Sequence, residues 1–464
     1  MKIYNPILSG FHADPSIVNS DGECIIANST FEWFPGVELH RSKDMKTWKP
    51  APSPLSEKRL LDMAGNKASC GIWAPCLSYS DGIFYLVFTN VRSWNDGPWK
   101  DCPNFLTTAE SIEGPWSDPV FMNASGFDAS LFHDDDGKKW FVNMEWDYRQ
   151  QGPRQFSGIL VQEYDCKAKK LVGKVHKIFL GTDIGLVEGP HLYKRDGWYY
   201  LVCAEGGTSY EHAITCARSK NLFGPYEVHP ANPLITSYGY DCKLKRAGHG
   251  SWCKSPDGKK DYLVYLCGRP LEGTDRCVLG RETGIAELEW KEGWPWVKQS
   301  DGTLKNCPPD YIELKGRGIV APGCGVAHIA EKFKNKDFLA EFKTLRIPFD
   351  DKRFSISERP GFLRIHGGQS PSSCFEQSIL ARRQTDFDFV AETKMEFSPE
   401  NFQHFAGMVY RYDEKSQYLC IVTQDEQKGK VIQVMSIMPE GFSREMECQI
   451  DEEKPVWIRL EVHQ

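Results

Sequence analysis

A turn-forming Asp-Gly pair recurs five times along the chain at nearly even spacing, and this repeat constrains the fold more than any other feature. The pairs begin at Asp21, Asp81, Asp136, Asp196 and Asp257, at intervals of 55–61 residues. A short apolar or aromatic run follows each pair, as in "IFYLVFTN" and "WYYLVCAE". Asp-Gly flanked by such runs is a strong sequence signal for a β-hairpin.

A second aromatic marker lies further along most of the repeats, as in "KTWKP" and "FGPYEVHP". Each unit therefore has about four strands. Five small antiparallel sheets of this kind predict an all-β fold, a five-bladed β-propeller over residues 1–322. The alternative is a chance recurrence of hairpins within a β-sandwich.

Seven or eight residues before each pair lies the start of the preceding strand. These positions hold Asp14, Ala74, Asp128, Glu188 and His249. The first strand of each propeller blade lines the central axis, so these side chains are expected to converge at one end of the channel. Trp73 would lie beside the small Ala74.

Three carboxylates in one cleft repel each other, and their pKa values are pushed apart. An acid and a base can then coexist at neutral pH, and a carboxylate pair with an aromatic wall suits cleavage of a glycosidic bond. A calcium site is the alternative use for such oxygens. Glu188 taken alone, in "VEGP", could equally cap a turn.

Charge and composition exclude other classes. The formal net charge of −7 and pI near 6.0 argue against nucleic-acid binding, which needs a basic field. We find no secretory signal, no apolar run of membrane-spanning length, and no nucleotide-binding, zinc-peptidase or serine-hydrolase motif. The 16 scattered cysteines indicate reduced thiols. We expect a cytoplasmic protein without membrane or nucleic-acid partners; the sequence leaves open whether it forms a homo-oligomer.

The Asp-Gly rhythm stops near residue 325, and alternating strands such as "DFDFVAETKMEF" and "VWIRLEVHQ" follow. This pattern predicts a second domain, a β-sandwich of jelly-roll type over residues 323–464. Because the strand pattern runs to the last residue, the sandwich is expected to lack its C-terminal strands and to expose a sheet edge.

Eight ordered motifs, among them "NPILSGFHADPSIV", "STFEWFPGVELHRSKD", "SGFDASLFHDDDGKKWFVNM", "EGPHLYKRDGWYYL" and "LGRETGIAELEW", resemble glycoside hydrolase family 43. The resemblance covers nearly the whole chain and is strongest to the β-xylosidase branch, some of whose members also remove α-L-arabinofuranosyl groups. One departure is Ala13, where the family motif has proline before the aspartate.

The resemblance implies a role for each motif residue. Asp14 corresponds to the general base, Glu188 to the general acid, and Asp128 to the carboxylate that orients the acid and adjusts its pKa. The implied substrate contacts are Phe31, Trp73, Phe127, Thr208, His249 and Arg281. His249 is also the axial histidine that in relatives can bind a divalent ion, usually calcium. No cofactor is required for the chemistry.

The implied function is an exo-acting, inverting hydrolase that releases xylose from the non-reducing end of short β-1,4-xylooligosaccharides. The alternatives are a protein that acts mainly as an α-L-arabinofuranosidase and a sugar-binding propeller without catalysis. Several motif residues also have a structural reading. Phe31, Phe127 and Thr208 could belong to the core or to strands, Arg281 to a surface ion pair, and His249 to a channel without metal.

Overall fold

Each Asp-Gly pair forms the turn between the first two strands of an antiparallel sheet in the computed structural model, which describes residues 1–322 and 331–464. The strands up to the end of the second sheet are β1 (Lys2–Tyr4), β2 (Ala13–Ser20), β3 (Glu23–Ser29), β4 (Trp33–Phe34), β5 (Glu38–Ser42), β6 (Lys49–Ala51), β7 (Gly71–Ser80), β8 (Ile83–Val91), β9 (Asn104–Ala109) and β10 (Val120–Phe121). Strands β2, β3, β5 and β6 form the first sheet, and β7 to β10 form the second.

The next three sheets repeat the same order. Their strands are β11 (Ser130–His133), β12 (Lys139–Trp146), β13 (Phe156–Asp165), β14 (Lys170–Phe179), β15 (Glu188–Arg195), β16 (Trp198–Glu205), β17 (Ala213–Ser219), β18 (Glu227–Val228), β19 (Ile235–Thr236), β20 (Lys245–Lys254), β21 (Asp261–Gly268), β22 (Glu282–Lys291) and β23 (Trp294–Lys298). Strand β19 pairs with β17 as an extra strand of the fourth sheet.

The first strands of the five sheets surround a common axis. Strand β2 contacts β7 and β20, and β7, β11, β15 and β20 contact one another in succession, so the ring is closed. The N-terminal strand β1 pairs with two late strands, β24 (Tyr311–Glu313) and β25 (Ile319–Val320), which joins the two ends of this domain. The predicted all-β propeller is therefore present.

Residues 331–464 form the second domain. Its strands are β26 (Phe342–Leu345), β27 (Phe354–Ser355), β28 (Arg364–Ile365), β29 (Leu380–Arg382), β30 (Phe389–Met395), β31 (Ala406–Asp413), β32 (Ser416–Asp425), β33 (Gly429–Met438), β34 (Gly441–Gln449) and β35 (Val456–Val462). Strands β31 to β34 form one antiparallel sheet, and β30 pairs with β35. The predicted boundary between residues 322 and 323 falls where the first described range ends, and it stays a prediction.

The two domains share a sheet, because β26 pairs with β29 on one side and with β4 of the propeller on the other. The described helices are two short 3-10 turns, Gly152–Gln155 and Asp337–Ala340. Within residues 1–322 and 331–464, no helix has the length and apolarity needed to cross a membrane.

Candidate active site

The predicted site positions lie within two residues of the start of β2, β11 and β15 and four or five residues into β7 and β20, and the backbone there has an unusual shape. Asp14, Ala74, Asp128 and His249 have positive φ angles of 50°, 36°, 54° and 37°. Strands β2, β7, β15 and β20 each shift register at this point, as in a β-bulge. Bulges re-aim side chains, and left-handed backbone at non-glycine residues costs energy and is common at functional sites.

The fourth sheet departs from this pattern by one residue. Its left-handed position is Gly189, with φ of 56°, and not the Glu188 that the repeat spacing aligned with the others. A Cβ at this glycine would lie 2.9 Å from the His249 ring, so the close approach of the two strands needs glycine there. Glu188 remains buried at the start of β15.

Asp14 is 5% exposed and is held ionised by its neighbours. The Ser29 hydroxyl donates to Asp14 Oδ2 over 2.7 Å, and Arg281 Nη1 lies 3.2 Å from Asp14 Oδ1. Burial alone would raise the pKa of this carboxyl, but the Arg281 charge, together with His249 and the Ser29 hydrogen bond, brings the pKa below its ordinary value. Asp14 is therefore a carboxylate at neutral pH.

Glu188 has the opposite character. It is 8% exposed, and burial together with the negative charge of Asp14 raises its pKa to about 8, although Arg281 opposes the shift. At neutral pH the folded protein therefore keeps a proton on Glu188. One buried carboxylate and one buried carboxylic acid thus share the same end of the channel.

Asp128 lies just before β11 and is also buried. Burial and the charges of Glu188 and Asp14 raise its pKa well above the ordinary value. The Gly189 amide donates to Asp128 Oδ2 over 3.1 Å, which ties this aspartate to the residue after Glu188. Asp128 can therefore orient the Glu188 segment through the backbone.

Three of the predicted sugar contacts form an aromatic wall. The ring centroids of Phe31 and Trp73 lie 5.9 Å apart, and those of Trp73 and Phe127 lie 5.6 Å apart in an edge-to-face arrangement. Phe31 has φ of 55°, which is rare for an aromatic residue, and its backbone bonds to Ile72 in both directions. Apolar ring faces next to carboxyl groups suit the binding of a pyranose or furanose ring.

Arg281 connects several of these residues. Its guanidinium lies 5.3 Å from the Phe31 ring centroid, and its Nη2 donates to the Thr208 hydroxyl over 3.4 Å. It also pairs with Asp14, as described above. Because about a third of the Arg281 side chain is exposed, its donors remain accessible to a sugar hydroxyl.

His249 is buried on the axis, next to Asp14 and Gly189, and burial lowers its pKa. Calcium takes about six to eight oxygen ligands. In the part of the chain that the structure describes, the group of three His, Cys, Asp or Glu side chains close enough to hold a metal is His12, Glu38 and His40, which does not include His249. The calcium expected at His249 stays a prediction, and no step below uses a metal.

The sequence patterns missed several residues at this site. Trp94 packs on Trp73 with centroids 4.8 Å apart and on Trp146 at 5.5 Å, which extends the aromatic wall outward. The Lys100 ammonium lies 4.2 Å from the Trp94 centroid. The aromatic-rich stretch "VRSWNDGPWK" was a signal for this extension, although its place at the site depends on a loop.

Family models match both halves of the chain. Residues 3–295 match the glycosyl hydrolases family 43 model, and residues 330–464 match the model of the β-xylosidase C-terminal concanavalin A-like domain. The chain belongs to glycoside hydrolase family 43. This confirms the resemblance seen in the sequence motifs, and the protein is a glycosidase with a C-terminal β-sandwich.

Similar proteins agree with this assignment over almost the full chain. A xylosidase/arabinosidase 43B of Humicola insolens is 51% identical across 89% of this chain and 74% of its own length. A β-xylosidase of Bacillus subtilis (strain 168) is 44% identical across 100% of this chain and 87% of its own. The crystal structure of a xylan β-1,4-xylosidase from Bacillus halodurans C-125 superimposes with a TM-score of 0.91 at 48% identity, covering 100% of this chain and 87% of that one.

Proposed function

We propose that this family 43 enzyme is an exo-acting, inverting hydrolase that releases xylose from the non-reducing end of short β-1,4-xylooligosaccharides. The observation that carries the proposal is the opposite pKa shift of two buried carboxyl groups. The pKa of Asp14 lies below its ordinary value, and the pKa of Glu188 is raised to about 8. A base and an acid are thus available together at neutral pH.

Each carboxyl group has one task in the reaction. Asp14 accepts a proton from a water molecule, and the water oxygen attacks the anomeric carbon of the terminal sugar. Glu188 donates its proton to the glycosidic oxygen as the bond to the leaving sugar breaks. Because water attacks from the face opposite the leaving group, the configuration at the anomeric carbon is inverted. Inversion requires room for this water, with the two carboxyls roughly 6.5–9.5 Å apart.

The remaining groups bind and orient the sugar. Phe31 and Trp73 provide apolar surface for the ring, Phe127 packs against Trp73 from the core, where it is 1% exposed, and Arg281 and Thr208 provide hydrogen bonds to hydroxyls. Arg281 also keeps Asp14 ionised, so that a hydroxyl held by Arg281 would lie next to the base. Asp128, whose pKa is raised well above its ordinary value by burial and by Glu188 and Asp14, keeps the Glu188–Gly189 segment in place through the Gly189 amide.

The names of the relatives support the substrate class. The Bacillus subtilis relative is named a β-xylosidase, and the Humicola insolens relative a xylosidase/arabinosidase. A non-reducing-end α-L-arabinofuranosidase of Bacteroides ovatus is 32% identical across 90% of this chain. We therefore include release of α-L-arabinofuranosyl groups as a second activity at the same site.

Side-by-side assays on xylobiose, nitrophenyl β-xyloside and nitrophenyl α-arabinofuranoside test the proposal. We expect turnover of all three, with the higher kcat/KM for the xyloside of the two nitrophenyl substrates. Proton NMR during xylobiose hydrolysis should show α-xylose as the first product from the non-reducing end. β-Xylose as the first product would refute inversion, and xylose binding without turnover would indicate a sugar-binding propeller without catalysis.

A further inference from the structure

Arg383 of the sandwich domain reaches across to the loop that carries Phe31. Its guanidinium lies 4.4 Å from the Phe11 ring centroid and 5.4 Å from the Trp33 ring centroid. Its Nη2 is 3.5 Å from the backbone carbonyl oxygen of Thr30, the residue before Phe31. One side chain of the second domain therefore contacts Thr30 before Phe31 and Trp33 after it.

Phe11 lies between Arg383 and the sugar pocket. The rings of Phe11 and Phe31 meet edge to face, with centroids 5.3 Å apart. Phe31 has a left-handed backbone, which needs support from its surroundings. Gly280 also approaches Phe11 closely, because a Cβ at this glycine would lie 2.7 Å from the Phe11 ring. Phe11 therefore has little freedom as long as Arg383 covers it.

The chain on both sides of this contact is packed closely. A Cβ at Gly10 would lie 2.6 Å from the carbonyl oxygen of Gln384, so the two backbones touch directly beside Arg383 and Phe11. The Gly10 amide donates to Glu282 Oε1 over 2.8 Å on the propeller side. The segment that holds Arg383 is thus fixed against the segment that holds Phe11.

Acidic groups of the propeller compensate the Arg383 charge. Burial lowers the pKa of Arg383, while Glu32 and Glu38 oppose the shift, and the guanidinium stays charged. Glu38 also lies 3.4 Å from the ammonium of Lys343, a second cation from the sandwich. The contacts that hold Arg383 in this position are the Thr30 carbonyl oxygen and the Phe11 and Trp33 rings.

The Glu38 cluster itself serves as an interdomain anchor. His12 Nδ1 lies 3.1 Å from Glu38 Oε2, and the rings of His12 and His40 are 5.0 Å apart. This is the metal-like group of the described residues, but the Lys343 ammonium already occupies the other oxygen of Glu38. A divalent cation would have to displace Lys343, so we assign the cluster to domain contact and not to metal binding.

We propose that Arg383 is a positioning residue that holds the aromatic wall of the sugar pocket in place through Phe11 and Phe31. The sandwich domain thereby sets the affinity for the sugar, although it supplies none of the groups assigned to the reaction. This inference rests on the proposed function, because Phe31 must face the sugar. A wall that supports substrate and transition state equally changes KM and leaves kcat nearly unchanged.

The test is Arg383→Met in the full chain, a change that keeps an unbranched apolar stem and removes the charged plane. We expect KM for nitrophenyl β-xyloside to rise roughly threefold to tenfold, as for the loss of a partly buried cation–π contact, with kcat within about twofold. The Kd of free xylose, followed by tryptophan fluorescence, should rise by the same factor. Arg383→Lys keeps the charge but not the planar stack, so it should restore part of the affinity.

The control is Arg359→Met. Arg359 also lies on an aromatic ring of the sandwich, 3.7 Å from the Phe362 centroid, and pairs with Glu396 over 2.6 Å. Within residues 1–322 and 331–464, its contacts are with Phe362 and Glu396 of the sandwich, so KM and the xylose Kd should stay at the wild-type values. A rise equal to that of Arg383→Met would mean that any loss of an arginine in this domain has the effect, and it would overturn the proposal.

Phe11→Leu separates the proposed path from general destabilisation. If Arg383 acts through Phe11, the double variant should raise KM no more than the larger single variant does. Additive effects, or a loss of kcat with KM unchanged, would refute the positioning role. Wild-type protein that binds xylose but does not hydrolyse xylosides would contradict the proposed function, and the xylose Kd of the variants would still decide this inference.

Discussion

The propeller and the sandwich differ in how much of their hydrophobic surface they bury. All five hydrophobic clusters of the described residues lie within residues 1–314, and they surround the strands that carry the site. The described sandwich leaves large side chains in solvent, including Tyr412, Phe442 and Trp457, which are 81%, 70% and 63% exposed. The propeller thus holds the site in a well-packed core, whereas the sandwich influences the site through its contact with the propeller.

The difference is also electrostatic. The propeller buries the carboxyl groups Asp14, Asp128 and Glu188 near one another: Asp14 raises the pKa of Glu188, and Glu188 and Asp14 raise the pKa of Asp128. The sandwich contributes cations to the contact between the domains, namely Lys343, Arg346 and Arg383. Substitutions in the propeller site should therefore change the reaction rate or remove the cost of burying a charge. Substitutions at the domain contact should weaken sugar binding or lower the free energy of unfolding.

The largest effect is expected for Asp14→Ala. No other described group is placed to accept a proton from the attacking water, so kcat should fall about 10³- to 10⁴-fold on xylobiose and on nitrophenyl β-xyloside alike. Steady-state kinetics on both substrates measures this loss. Asp425→Ala is the matched control from the sandwich, because Asp425 only accepts turn hydrogen bonds from Gln427 and Lys428. A comparable loss of kcat in that control would contradict the conclusion that the groups for the reaction lie in the propeller and not in the sandwich.

Glu188→Ala should show a loss that depends on the leaving group. Xylose is a poor leaving group and needs a proton, so kcat/KM on xylobiose should fall about 10²- to 10³-fold. Nitrophenolate departs without a proton, and its kcat/KM should fall by about tenfold or less. Equal losses on the two substrates would show that the glutamate of "VEGP" is not the acid.

Glu188→Gln should stabilise the protein in a pH-dependent way. At about pH 4.5 the glutamate is protonated in the folded chain and about half ionised in the unfolded chain, so the substitution should change the free energy of unfolding by only about 0.4 kcal/mol. As the pH rises, the unfolded chain ionises while the folded chain keeps its proton up to about pH 8. The free energy of unfolding of the variant should therefore exceed that of the wild type by roughly 2–4 kcal/mol at pH 8. Denaturant unfolding at pH 4.5 and pH 8 measures the gain, and an equal gain at both values would exclude this cause.

Arg346→Met should lower the free energy of unfolding, the opposite of the effect expected for Glu188→Gln. Arg346 is 2% exposed, donates to the Asn66 carbonyl of the propeller, and lies 3.0 Å from Gln377 Oε1. Removal of this buried cation should cost about 2–3 kcal/mol and lower the Tm. Arg444→Met, which removes an exposed ion pair with Glu447, should cost less than about 0.5 kcal/mol. Equal losses in the two variants would show that the domain contact contributes no special stability.

The sequence repeat located much of the site without the structure. Three residues seven or eight positions before the Asp-Gly turns, Asp14, Asp128 and His249, have the same left-handed backbone. The one-residue displacement at Gly189 was not visible in the sequence, because Glu188 fits the spacing equally well. The extra aromatic residues Trp94 and Trp146 were also missed, since they belong to no motif and meet only in three dimensions.

Local signals determined the hairpins, the fold class and the carboxyl groups, because turn chemistry, strand alternation and repeat spacing act over a few residues and are written directly in the sequence. Tertiary structure decided the protonation of those groups and the contact between the domains. The pKa of Glu188 depends on burial and on Asp14, and Phe31 depends on Phe11 and on Arg383. These partners are 174, 20 and 352 residues away in the chain. Electrostatic and packing forces act through space, and their strength depends on distances that only the folded chain defines.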